Sequence, residues 1–138
     1  MVSLKRKINY YETDRMGITH HSNYVRFMEE GRVHFLEKNG CPFGMLEEIG
    51  IISPVISIDC RYKDTTTFDD EIEIEVEIAK YNGFKIGFEY VIRNCKNGKI
   101  AFSATSEHCF LSTEGKLLRL NYANPDLHAR LLALLPDK

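Results

Sequence analysis

The segment Tyr11-Glu12-Thr13-Asp14-Arg15-Met16-Gly17, followed by His20-His21-Ser22-Asn23-Tyr24, sets a carboxylate, a glycine, two imidazoles and several small polar groups ahead of an apolar helical pattern. A carboxylate just before a helix N-terminus lies where main-chain N–H groups point outward without partners. Those donors can hold a carbonyl oxygen while the acid attacks its carbon or directs water at it. That is the minimum equipment for hydrolysing an activated acyl group. Asp14 on its own is also a common N-cap or turn residue; set in this segment, it reads as the reactive acid.

The pattern that must position this segment begins at residues 4–10, which alternate loosely and predict a first strand. From Ser22 or Asn23 to Lys38 the period turns helical, with Tyr24, Phe27, Met28, Gly31, Phe35 and Leu36 on one stripe. Ser22 or Asn23 is the expected cap, and Gly40 suits the stop. Gly31 in mid-helix costs about 1 kcal/mol against alanine, which makes sense where a strand presses on that point. A short helix is expected over residues 43–49. Strands follow at 55–63, with Ile56, Ile58, Cys60 and Tyr62 on one face, and at 71–78, where four glutamates alternate with Ile72, Ile74, Val76 and Ile78. Asn82-Gly83 and Asn97-Gly98 predict hairpins that lead into strands at 84–93 and 100–111. Glu114-Gly115 predicts a turn before residues 116–120. Asn124-Pro125-Asp126 opens a leucine-rich helix that ends at Pro136. Hairpins make the later strands antiparallel, so residues 1–138 read as one α+β domain with a long helix across the sheet.

The chain has 138 residues, 43% hydrophobic and 28% charged, with a net charge of -2. Neither the charge nor any basic run points to nucleic acid. No apolar stretch approaches the ~20 residues of a membrane span, and residues 1–7 lack the apolar core of a signal peptide, so a cytoplasmic location is expected. Cys41, Cys60, Cys95 and Cys109 are scattered without a C-x-x-C pair, which argues against zinc or a redox motif. Cys60 and Cys109 read as core fillers. His20 and His21 are adjacent, so their rings are expected to diverge in a turn, and no metal is expected. His34, His108 and His128 read as structural or surface residues. Arg61 and Lys63 share an outward strand face. They are available to a phosphate, or else to cross-strand pairing with the glutamates of residues 71–77.

Asp14-Arg15-Met16-Gly17, His21-Ser22-Asn23-Tyr24, Glu29, and the later Phe68-Asp69-Asp70-Glu71 together resemble the signature of the hotdog-fold acyl-CoA thioesterases, in particular the 4-hydroxybenzoyl-CoA thioesterase-like group. The resemblance covers nearly the whole chain. It implies a hotdog fold: an antiparallel sheet wrapped around one long central helix, with a short C-terminal helix. It implies hydrolysis of an acyl-CoA thioester to a carboxylic acid and coenzyme A. Asp14 matches the catalytic carboxylate, acting as nucleophile or as general base for water, and the His21 amide matches the oxyanion donor. Gly17 matches the glycine that turns the loop beneath the substrate. Tyr24 and Glu29 match helix positions near the acyl pocket, and Met16, Asn23, Phe27 and Met28 flank the same place. The resemblance further implies a homodimer or homotetramer with each active site at a subunit boundary, and no cofactor beyond the coenzyme A of the substrate. The chain departs from the pattern at Thr65-Thr66-Thr67, where relatives often carry a proline; the expected consequence is confined to the shape of that turn. Two other readings stay open: an acyl-carrier-protein thioesterase, which needs a basic docking surface, and a non-catalytic acyl-CoA binding module, which needs the pocket but not Asp14.

Overall fold

The computed structural model describes residues 2–136. Five strands form one antiparallel sheet: β1 (Val2–Lys7), β2 (Val55–Tyr62), β3 (Glu71–Tyr81), β4 (Lys85–Asn94) and β5 (Ile100–Cys109), in the spatial order β1-β3-β4-β5-β2. A long helix, α1 (Ser22–Lys38), lies over β1 and β3, followed in sequence by the short α2 (Phe43–Glu48). The chain ends in α3 (Leu120–Ala123) and α4 (Pro125–Ala133). This is the expected α+β, hotdog arrangement of a sheet around one long helix.

The alternation in β3 turns Ile72, Ile74, Val76 and Ile78 inward, where they are buried against α1. The helix answers with Tyr24, Phe27, Met28, Phe35 and Leu36, each contributing about 1.5–3 kcal/mol by burial. Gly31 allows the close approach: a Cβ there would lie 2.6 Å from Ile74 Cγ2 and 2.9 Å from Val76 Cγ2. The helix stops in a Schellman turn. Gly40 takes a left-handed φ of 78°, its N–H reaches Glu37 O at 3.3 Å, and Cys41 N–H reaches Leu36 O at 2.8 Å.

The first strand ends at Lys7, earlier than its alternation implies, because Tyr10–Glu12 coil into a 3-10 turn. Residues 116–120 form only an isolated bridge, Leu111 to Leu117, before the short α3. Asn124 caps α4 as expected, its Oδ1 accepting from Leu127 N–H at 3.1 Å, with Pro125 in the first turn. The core thiol is Cys41; Cys60 and Cys109 are only half-buried, since Cys60 lies on the edge strand β2 and Cys109 ends β5. No helix among the described residues is long and apolar enough to cross a membrane.

Candidate active site

Asp14 sits in a tight hairpin. Thr13 and Thr19 pair as an antiparallel bridge, Asp14 N–H donates to Ile18 O at 2.9 Å, and Gly17 N–H donates to Asp14 O at 2.9 Å. The turn needs a left-handed residue, and Gly17 supplies it at φ 79°. The Asp14 side chain is half-buried. Its Oδ1 accepts the Met16 N–H at 2.8 Å, which fixes the carboxylate. Among the described residues its other oxygen takes no protein hydrogen bond.

The base of this hairpin is tied to the start of α1. His20 N–H donates to Glu12 O at 2.9 Å, so the acid and the first helical residues emerge from one knot. His21 has helical dihedrals of -55° and -31° and no side-chain cap. Its carbonyl accepts from Tyr24 N–H at 3.3 Å and from the Tyr62 hydroxyl at 3.0 Å. Among the described residues the His21 N–H meets no protein acceptor, which leaves a main-chain donor open at the positive end of a 17-residue helix.

The expected side-chain caps are not there. Ser22 Oγ is engaged by His20 Nδ1 at 2.8 Å, and the Asn23 amide donates to Glu12 O at 2.8 Å. The two imidazoles do not diverge either. His20 Nδ1 also accepts the Ser22 N–H at 3.2 Å, which folds its ring back onto that of His21, with the centroids 4.3 Å apart and stacked.

Buried groups hold the knot. Glu12, itself buried, pairs with Arg6 and accepts Asn9 N–H at 2.8 Å. Arg6 also pairs with Glu30 at 2.8 Å and lies over the Phe27 ring at 4.5 Å. From the other side comes the loop between β2 and β3. Thr66 O accepts Thr19 N–H at 2.8 Å, Thr66 Oγ1 lies 2.7 Å from Thr19 Oγ1 and 2.8 Å from Tyr24 OH, and the Thr67 hydroxyl donates to Gly17 O at 2.7 Å. Burial pushes the Tyr24 phenol above its ordinary pKa, so it stays protonated and able to donate. The threonine run therefore shapes the hairpin that carries Asp14 as well as its own turn, contrary to the sequence expectation.

Of the residues singled out from sequence, Asp14, Met16, Gly17 and His21 gather at this exposed corner, with Met16 and His21 open to solvent. Asn23, Tyr24, Phe27 and Met28 are buried beneath it, and Glu29 is exposed on α1. Arg61 pairs with its own neighbour Asp59 at 2.9 Å. It has no access to the glutamates of β3, because β2 and β3 lie at separated positions in the sheet. Lys63 is exposed just beyond β2. Arg6, Glu12, Thr19, Tyr62 and Thr66 went unassigned to the site in sequence. The only signal for Thr66 was its departure from the family's proline-bearing turn, and Tyr62 was visible only as one of an alternating set.

Comparison with known proteins finds related chains and a shared fold. A Bacillus subtilis (strain 168) protein named as a candidate acyl-CoA thioesterase, YneP, is 35% identical over 88% of this chain and 88% of its own length. The acyl-CoA thioester hydrolase YbgC of Escherichia coli O6:H1 is 28% identical over 66% of this chain and 68% of its own. Among solved structures, the DHNA-CoA thioesterase from Staphylococcus aureus superposes with a TM-score of 0.90, at 27% identity, covering 95% of this chain and 88% of that one. The thioesterase-like superfamily matches residues 8–136, and the chain belongs to that family.

Proposed function

We propose that this protein hydrolyses an acyl-CoA thioester to a free carboxylic acid and coenzyme A. The observation that carries the reading is the coincidence, in one knot, of a half-exposed Asp14 with a free carboxylate oxygen and an unpaired His21 N–H at the start of α1. The names of the relatives support the substrate class.

In this scheme Asp14 acts as general base. It takes a proton from a water molecule, whose oxygen adds to the thioester carbonyl carbon. The carbonyl π pair moves onto oxygen and is held by the His21 N–H, a donor of the kind typically worth about 3 kcal/mol. The tetrahedral adduct collapses, the C–S bond breaks, and the thiolate of coenzyme A leaves and recovers the proton from Asp14. Water is the only co-reactant. The Met16 bond to Asp14 Oδ1 leaves the second oxygen for this role. Met16 and Glu29 border the approach of the acyl group, over a floor of Tyr24, Phe27 and Met28. Arg61 and Lys63 are the cations offered to the phosphates of coenzyme A.

The working unit in this reading is a homodimer or larger, with the site at a subunit boundary. Support comes from β2, an edge strand that exposes Val55, Ile56, Ile58 and Tyr62; an edge of that kind invites pairing. Its last residue, Tyr62, bonds the His21 carbonyl, so the free edge and the helix start are contiguous.

The test is release of free thiol by the native protein across short-chain, long-chain and aromatic acyl-CoAs. Turnover of at least one class is expected, with the acid and coenzyme A formed in equal amounts. Tight binding without turnover of any of them would overturn the hydrolase reading in favour of a binding module.

A further inference from the structure

Thr66 lies in a loop without regular secondary structure, yet it is 1% exposed. Its hydroxyl sits between two others: Thr66 Oγ1 lies 2.7 Å from Thr19 Oγ1 and 2.8 Å from Tyr24 OH, and the Thr19 hydroxyl is also 3.2 Å from Thr66 O. Tyr24 stacks on Phe102 at 4.9 Å and meets Tyr62 edge-on at 5.5 Å, and Tyr62 holds the His21 carbonyl. Thr19 closes the hairpin that carries Asp14. One hydroxyl thus links the element bearing the acid to the elements bearing the oxyanion donor.

We infer that Thr66 is a positioning residue: its side-chain hydroxyl sets the distance between the Asp14 carboxylate and the His21 amide. It touches no substrate. The inference rests on the hydrolase reading of the site. Valine fills the same space but strands the Tyr24 hydroxyl in a place closed to water, since Tyr24 and Thr19 are 3% and 5% exposed. Serine keeps the bonds.

The experiment compares Thr66→Val and Thr66→Ser with the native protein, each in the native and the Asp14→Asn background. Small displacements of reacting groups cost rate steeply, so Thr66→Val should lower kcat about tenfold while KM moves less than about threefold. Thr66→Ser should restore kcat. In the Asp14→Asn background Thr66→Val should leave the residual rate unchanged, because there is no longer an acid to position. Native kcat in Thr66→Val, equal damage in the serine variant, or the same loss in both backgrounds overturns the inference. Amide hydrogen exchange gives a readout independent of turnover, so failure of the hydrolase reading is distinguishable. Thr66→Val should speed exchange at Asp14, Gly17 and Thr19 and spare β3 to β5; unchanged exchange in the hairpin overturns the inference even if no acyl-CoA is turned over. Should Thr66→Val fail to fold, Thr19→Val, with Thr19→Ser as its conservative control, cuts the same link at its other end and is held to the same outcomes.

Discussion

Two rows of buried, hydrogen-bonded side chains cross this molecule, and they rest on different supports. One runs from Tyr24 through Thr66 to Thr19 and ends in the hairpin that carries Asp14. The other runs from Arg32 Nη1 to Tyr90 OH at 3.0 Å, on to Ser106 Oγ at 2.6 Å, and to His108 Nε2 at 2.8 Å. The second is spread over α1, β4 and β5, elements already bound to one another by the sheet ladder and the core. The first has two members, Thr19 and Thr66, outside the named strands and helices. Similar chemistry therefore serves different ends. Where the backbone is already fixed, a polar row adds stability and a pH dependence; where it is not, the row sets the geometry of a site.

The sharpest test of the contrast lies in acid. Burial first, and the Arg32 charge second, hold the His108 pKa well below the ordinary 6.5, at about 4, against the opposing pull of a hydrogen bond with the Ser53 backbone. The folded pKa is depressed, so between about 6.5 and 4 the unfolded chain binds the extra proton. Stability is therefore full above 6.5 and falls as pH drops through that window, by about 3 kcal/mol in total. Denaturant titrations from pH 7 to pH 4 should show this slope in the native protein and a flatter one in His108→Gln.

Next in size, Tyr90→Phe leaves Arg32 and Ser106 short of a buried partner, in a place where Arg32 Nε already has none among the described residues. The expected cost is about 2 kcal/mol in the unfolding midpoint, with kcat unchanged. Tyr24→Phe should cost less, about 1 kcal/mol, yet lower kcat. If Tyr90→Phe slowed turnover more than Tyr24→Phe, the contrast between the two rows would be wrong. Smallest is Asn124→Ala, which removes the α4 cap, a side chain that belongs to neither row. A loss of about 0.5–1 kcal/mol with native kinetics is expected, read by thermal unfolding and steady-state assay.

The contrast also explains what could be read from residues alone. The β3 alternation, the Gly31 contact, the Asn-Gly hairpins and the α4 cap follow from local rules of period, size and φ, so their positions were open to inspection. Asp14, Gly17 and His21 could be named because they lie within one short segment. Thr66 could not, because its partners Thr19 and Tyr24 are 47 and 42 residues away, and nothing local marks a threonine as buried. Arg6 and Glu12 escaped for a related reason: an ion pair is read from sequence only at helical or cross-strand spacing, and here a 3-10 turn sets the geometry. The stacked imidazoles likewise depend on a local bond from His20 back to Ser22 that overrides the expected divergence.

The central claim is that the Asp14 carboxylate does chemistry on a carbonyl held at the start of α1. It is tested most directly by measuring kcat and acyl-CoA dissociation constants side by side for the native protein and Asp14→Asn. The account predicts a loss in kcat of at least about 100-fold with binding kept within a few-fold. Retained turnover in the asparagine variant would contradict it.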